Sequence, residues 1–149
     1  MEEYSSILET KAHIKIVIEY IETIRTKLKI RTLQHDASKM RSPEVDIFDE
    51  YTPKLKGTTY GSDEYKRYLE EMKTALIHHY ENNSHHPEHF ENGINDMTLV
   101  DIVEMFCDWY AATKRHADGD IMKSIEINGE RFGISDQLKS IFKNTVELF

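Results

Sequence analysis

The sequence predicts an all-α chain, on three observations. Apolar residues recur at three- and four-residue steps along most of its length. N-cap residues, glycines and asparagines punctuate those stretches where helices would start and stop. No internal repeat, low-complexity tract or sustained alternation with a period of two is present, although Ile125-Glu126-Ile127 is short and apolar enough to be briefly extended.

Taken in order, residues 2–30 place Ile14, Val17, Ile18, Ile21, Ile24 and Leu28 on one helical face, read as a buried stripe. His13, one turn before Val17, starts on or beside that stripe rather than on the face carrying Lys15, Glu19 and Glu22. A second helical piece is expected over 32–40. Ser42-Pro43-Glu44 then reads as the cap and first turn of a helix reaching Tyr51. Pro53, Gly57 and Gly61 make 52–62 a loop. From Asp63 to about Asn83, the steps Tyr65, Leu69, Met72, Leu76, His79 set His79 on the apolar face, with His78 about 100° around from it. Asn82-Asn83-Ser84 breaks that helix, Pro87 opens a short turn through Phe90, and Gly93 ends it. Thr98 caps a helix to about His116 that is apolar nearly all round and therefore expected to be buried. Asp118-Gly119 interrupts, a short segment carries 121–127, and Ser135 caps a last helix to Leu148.

The 149 residues fit one domain over 1–149, long enough to bury a core. An excess of 27 acidic over 19 basic residues, net −8, disfavours passive binding to duplex nucleic acid. It leaves open a small phosphorylated substrate held by local charges. The single cysteine, Cys107, forms no internal disulfide. The start MEEYSSILETK lacks the basic and apolar regions of a signal peptide, and no run reaches the roughly 18 apolar residues of a spanning helix. A cytoplasmic protein without membrane contact is the expectation.

The chemistry lies in the histidines and acids. His13, the adjacent pair His35-Asp36, the tract from His78-His79 to His89, and Asp101, Glu104 and Asp108 offer the imidazoles and carboxylates that hold Mn, Fe, Co, Zn or Mg between packed helices. Asp101, Glu104 and Asp108 share one stripe of an apolar helix and need a cation, donors or a metal. Asp101 lies three residues after Thr98, so a capping box competes with a ligand role. Glu104 could pair with an arginine. Asp108 sits mid-helix, where no free backbone donor reaches it. His35 and Asp36, if neighbours on a helix, diverge by about 100°. Lys39 either bridges to Asp36 or grips a phosphate. Among His78, His85, His86 and His89, at least two are expected at the surface or in caps. Tyr51, Tyr60 and Tyr65 are read as packing residues, with stacking on a base as the alternative.

This order of histidine, His-Asp pair, further histidines and a late aspartate resembles the HD-domain metal-dependent phosphohydrolases. CDWYAA at 107–112 looks like the family's late aspartate and favours Asp108 over Asp101. More closely, HDASKM at 35–40, YGSDEYK at 60–66, HHPEHF at 85–90 and MTLVDIVEMFCDWYAATKR at 97–115 are similar to a small family of bacterial and phage proteins that brings no activity with it. The spacing from His13 to His35 is shorter, and the histidine loop denser, than in HD nucleotidases. The resemblance implies an HD-like bundle of about five to seven helices. It implies that His13, His35, Asp36 and Asp108 bind one divalent ion, with His79 and His85 or His86 holding a second. Glu104 or a loop histidine would then orient or deprotonate water, and Lys39, Arg115 and Arg131 would neutralise phosphate charge. The implied substrate is a nucleotide or related phosphomonoester, and a homodimer is allowed. Two other outcomes share these residues: an HD-like di-iron oxygenase, and an interaction protein whose metal only staples its helices.

Overall fold

The computed structural model describes residues 5–59, 61–115 and 117–149. Among these it contains seven α-helices and no strand, as the sequence predicts. The chain divides into two units, residues 1–34 and 35–149.

Among its described residues the first unit is a single helix, α1 (Ser6–Gln34). No residue of α1 is buried, so the stripe read as core-facing is instead exposed, and His13 with it. The helix also runs past Ile30 without interruption, because neither glycine nor proline interrupts Arg31-Thr32-Leu33-Gln34. The separate helix expected over 32–40 is therefore absent, and only a 3-10 turn, Ala37–Met40, follows.

The second unit holds α2 (Glu44–Lys56), α3 (Asp63–Glu71), α4 (Lys73–Asn82), α5 (Leu99–Thr113), α6 (Ile121–Phe132) and α7 (Asp136–Thr145). Helix α2 passes through Pro53, so 52–56 is helical and the expected loop is shorter. Proline deletes one backbone hydrogen bond, and here the helix continues for one further turn before Gly57. The stretch expected as one helix over 63–83 is two, meeting at buried Met72. Residues 125–127 are helical, inside α6, which ends at Gly133 in the left-handed conformation (φ 63°) that glycine adopts without a Cβ penalty.

Helices α5, α6 and α7 enclose the apolar core of Met105, Phe106, Trp109, Ile121, Ile125, Ile134 and Phe142. Phe106 stacks on Phe142 with ring centroids 5.1 Å apart, and Trp109 meets Phe142 edge-on at 5.7 Å. The apolar composition of α5 predicts burial nearly all round, but Leu99, Val103 and Cys107 are exposed along one face. A second packing region joins α2 to α3 and α4. Phe142→Ala removes the ring shared by both aromatic contacts and is expected to cost about 3–5 kcal/mol. Urea unfolding would measure it, and a loss below about 1 kcal/mol would contradict this account of the core.

Candidate metal centre

The turn after α1 builds the site. Asp36 has φ 54°, and no other described non-glycine residue has positive φ. Aspartate tolerates this left-handed conformation better than most residues, at a cost of about 1 kcal/mol. His35 and Asp36 therefore do not diverge as helical neighbours. Their side chains approach each other, His35 Nε2 lying 3.7 Å from Asp36 Oδ2. Helix α4 presents His79, only 2 % exposed, and the loop after it presents His85, 1 % exposed, and His86. Helix α5 contributes Glu104 and Asp108 from one face, a turn apart.

These side chains form three overlapping groups whose ligand atoms lie within 4.8 Å of one another: Asp36, His79, His85 and His86; His35, Asp36 and Asp108; and His35, His85 and Glu104. Asp36 Oδ1 is 3.4 Å from His79 Nε2 and 3.5 Å from His85 Nε2. His35 Nε2 is 3.6 Å from Asp108 Oδ1, and His79 Nε2 is 2.9 Å from His86 Nε2.

Carboxylates behind the imidazoles set their tautomers. Glu44, fully buried, accepts from His79 Nδ1 at 2.9 Å and from His78 Nδ1 at 2.7 Å. Glu104 accepts from His35 Nδ1 at 2.9 Å, and its Oε1 lies 3.2 Å from His85 Nδ1. With protons held on Nδ1, the Nε2 lone pairs of His79 and His85 face Asp36 Oδ1. Asp36 Oδ1 and His85 Nε2 are buried with no hydrogen-bond partner among the described residues. A point where only acceptors converge calls for a cation, since a water has two protons for three acceptors. The donor set fits a divalent ion, with the backing carboxylates in the place usual for metal-bound histidines.

Charge agrees with geometry. Burial opposes ionisation of Asp36 and Asp108, but the Lys39 hydrogen bond to Asp36 and the approach of His35 to Asp108 prevail and hold both below the usual carboxylate range. Burial pushes His86 down to about 3, helped by His85 and His79, and burial also lowers His79, so both stay neutral, each keeping one unprotonated ring nitrogen. The His35 imidazole is pushed up to about 10 by Asp108 and Glu104.

Of the other expected residues, Lys39 reaches Asp36 Oδ2 at 2.7 Å, leaving Oδ1 to the cluster. Both Lys39 and Arg115 line a cavity of about 510 Å³ that also touches Asp36, His79 and His86. Arg131 is engaged elsewhere, 2.8 Å from Glu88. Asp101 is the capping partner of Thr98 and accepts from Ser84 Oγ at 2.6 Å, so it belongs to the helix start and lies outside the three groups. His78 and His89 stand outside them too, His89 bonding the Tyr80 carbonyl at 2.7 Å. His13, on α1, is exposed and not part of them. Tyr60 and His116 lie outside the described residues, and Tyr51 packs 6.0 Å from the Tyr68 ring.

Sequence reasoning passed over Glu44, which reads as an ordinary acid in a first turn, and over Phe48 and Tyr80, the cavity's aromatic walls.

A family model matches residues 2–148 and carries the description of a family of unknown function, DUF5662. The chain belongs to DUF5662. No curated protein and no solved structure matches it. The DUF5662 match spans both the exposed α1 and every residue of the cluster.

Glu44→Ala strips the acceptor from two imidazoles and is expected to destabilise the metal-free protein by about 3 kcal/mol, read from denaturant unfolding. Because the folded His35 pKa lies above the unfolded value, its contribution is complete below about pH 6.5 and is lost as pH rises through about 10. Metal-free protein should therefore lose melting temperature across that window. His35→Asn should flatten the loss, and an unchanged profile in that variant would refute the His35 assignment.

Proposed function

We propose that the protein is a metal-dependent phosphohydrolase acting on a nucleotide or related small phosphomonoester. The observation that carries this reading is the pair of orphaned acceptors, Asp36 Oδ1 and His85 Nε2, with Asp36, His79 and His86 of the cluster lining a cavity that also holds two cationic side chains. Asp36, His79, His85 and His86 would hold one ion, and His35, Asp36 and Asp108 a second, with Asp36 common to both. Bound there, a divalent ion supplies Lewis acidity toward a phosphate oxygen and acidifies water.

The protein's own groups do the rest. Lys39 and Arg115 bring positive charge to the cavity wall, where a phosphate dianion needs it. Phe48, Leu76 and Met72 give the same cavity an apolar side suited to the uncharged part of a substrate. Asp49 and Thr52 add polar groups that can take hydrogen bonds from a sugar or base. Glu104 and Glu44 hold imidazoles by their Nδ1 atoms, so Glu104 serves as a positioning residue in this reading rather than as the base that the family resemblance implies.

Protein purified without a metal-affinity tag should contain a divalent metal by elemental analysis and release phosphate from members of a nucleotide panel with Mn, Co, Fe or Mg. Asp36→Asn and Asp108→Ala should each reduce turnover by at least about a thousandfold and lower metal content. Full activity with bound metal in Asp108→Ala would sink the assignment. Iron with oxygen uptake and no phosphate release would put the di-iron oxygenase in its place, and unfolding on chelation without turnover would favour a stapling metal.

A further inference from the structure

Helix α1 has a face that the proposed chemistry does not use. Ile7, Ile14, Ile21 and Leu28 recur every seven residues, and Val17 and Ile24 fall three residues after Ile14 and Ile21. At about 100° per residue these six occupy a sector of roughly 100°. An apolar repeat of seven sustained over three heptads is the pattern of a helix that pairs with a like helix. Yet Val17 is 38 % exposed, Ile14 49 %, Ile21 59 % and Ile7 65 %, and α1 buries no residue. Soluble proteins rarely leave such a strip open to water.

Length selects the occupant. The seam from Ile7 to Leu28 is about 32 Å long, whereas the next longest described helix, α5, has 15 residues and extends about 22 Å. Among the described helices only another α1 matches it end to end. Charge is compatible with self-pairing: flanking the seam, Lys11, His13, Ile18, Tyr20, Arg25 and Lys27 include no acid. In a parallel pair, His13 would face Ile18, and Tyr20 would face Arg25, so no like charges oppose across these positions. Two copies of the strip hide on the order of 1,000 Å² of surface, about what a specific dimer needs. We propose that α1 is a dimerisation helix whose heptad seam is covered by the α1 of a second copy of this chain. This does not depend on the metal or on hydrolysis.

Sedimentation equilibrium of the full chain should return twice the 17.6 kDa chain mass. The double variant I14D/I21D should return a single chain mass with its helical circular dichroism retained, while I21L remains a dimer. Hydrogen exchange on the unaltered protein provides a reading that needs no variant. Amides over 7–28 should exchange at least about tenfold more slowly at about 100 µM than at about 1 µM. A monomeric full chain overturns the proposal, as does a dimer that survives I14D/I21D. Protection of α1 that is independent of concentration also overturns it, because the seam would then be covered within one chain.

Discussion

The hydrogen bonds that two glutamates accept from the far side of the imidazoles determine what the site can be. A neutral histidine places its proton on either nitrogen, and nothing in the ring itself chooses. Glu44 makes that choice for His79, and Glu104 sits in position to make it for His85. The consequence is that unprotonated nitrogens and carboxylate oxygens meet at one place. The second unit depends on this, because the glutamates come from α2 and α5 while the histidines come from α4, the loop after it and the turn at 35–36. Helix packing and proton placement are therefore coupled.

Helix α5 shows how one amphipathic element serves two purposes. Met105, Phe106 and Trp109 face α6 and α7 and build the core, whereas Glu104 and Asp108 lie on a neighbouring stripe and face the cluster. The core makes α5 rigid, and the rigid helix holds the two acids a turn apart. The start of α5 is fixed by Thr98 and Asp101, and Ser84 ties that cap to the histidine loop. The loop carrying His85 and His86 is thus anchored by a hydrogen bond that has no part in the chemistry.

Much of this was legible in the residues. The 3.6-residue periodicity gave the class, cap residues marked most helix starts, the buried position of His79 followed from its place on the face of Leu76 and Met72, and the mid-helix position of Asp108 marked it correctly as an acid needing a partner in space. What periodicity cannot convey is a backbone excursion. Asp36 takes a left-handed conformation that no side-chain pattern announces, and that excursion brings the His-Asp pair onto one site. Glu44 was invisible for a different reason: acids in first turns are ordinarily solvated, and only the packing of α2 against α4 buries this one. The apolar stripe of α1 was plain, but a sequence pattern reports an apolar face without saying which molecule covers it.

The contact between Lys39 and Asp36 has a chemical consequence for ion choice. With Lys39 occupying Oδ2, Asp36 is left one oxygen with which to meet an ion, and in its group with His79, His85 and His86 the other donors are all nitrogen. Calcium seeks six to eight oxygens and often takes a carboxylate by both of its oxygens at once. Magnesium likewise prefers oxygen and its own water. In the proposed reading, a pocket that rations carboxylate oxygen while offering imidazole nitrogen would discriminate against the abundant hard cations and toward the scarcer first-row transition metals.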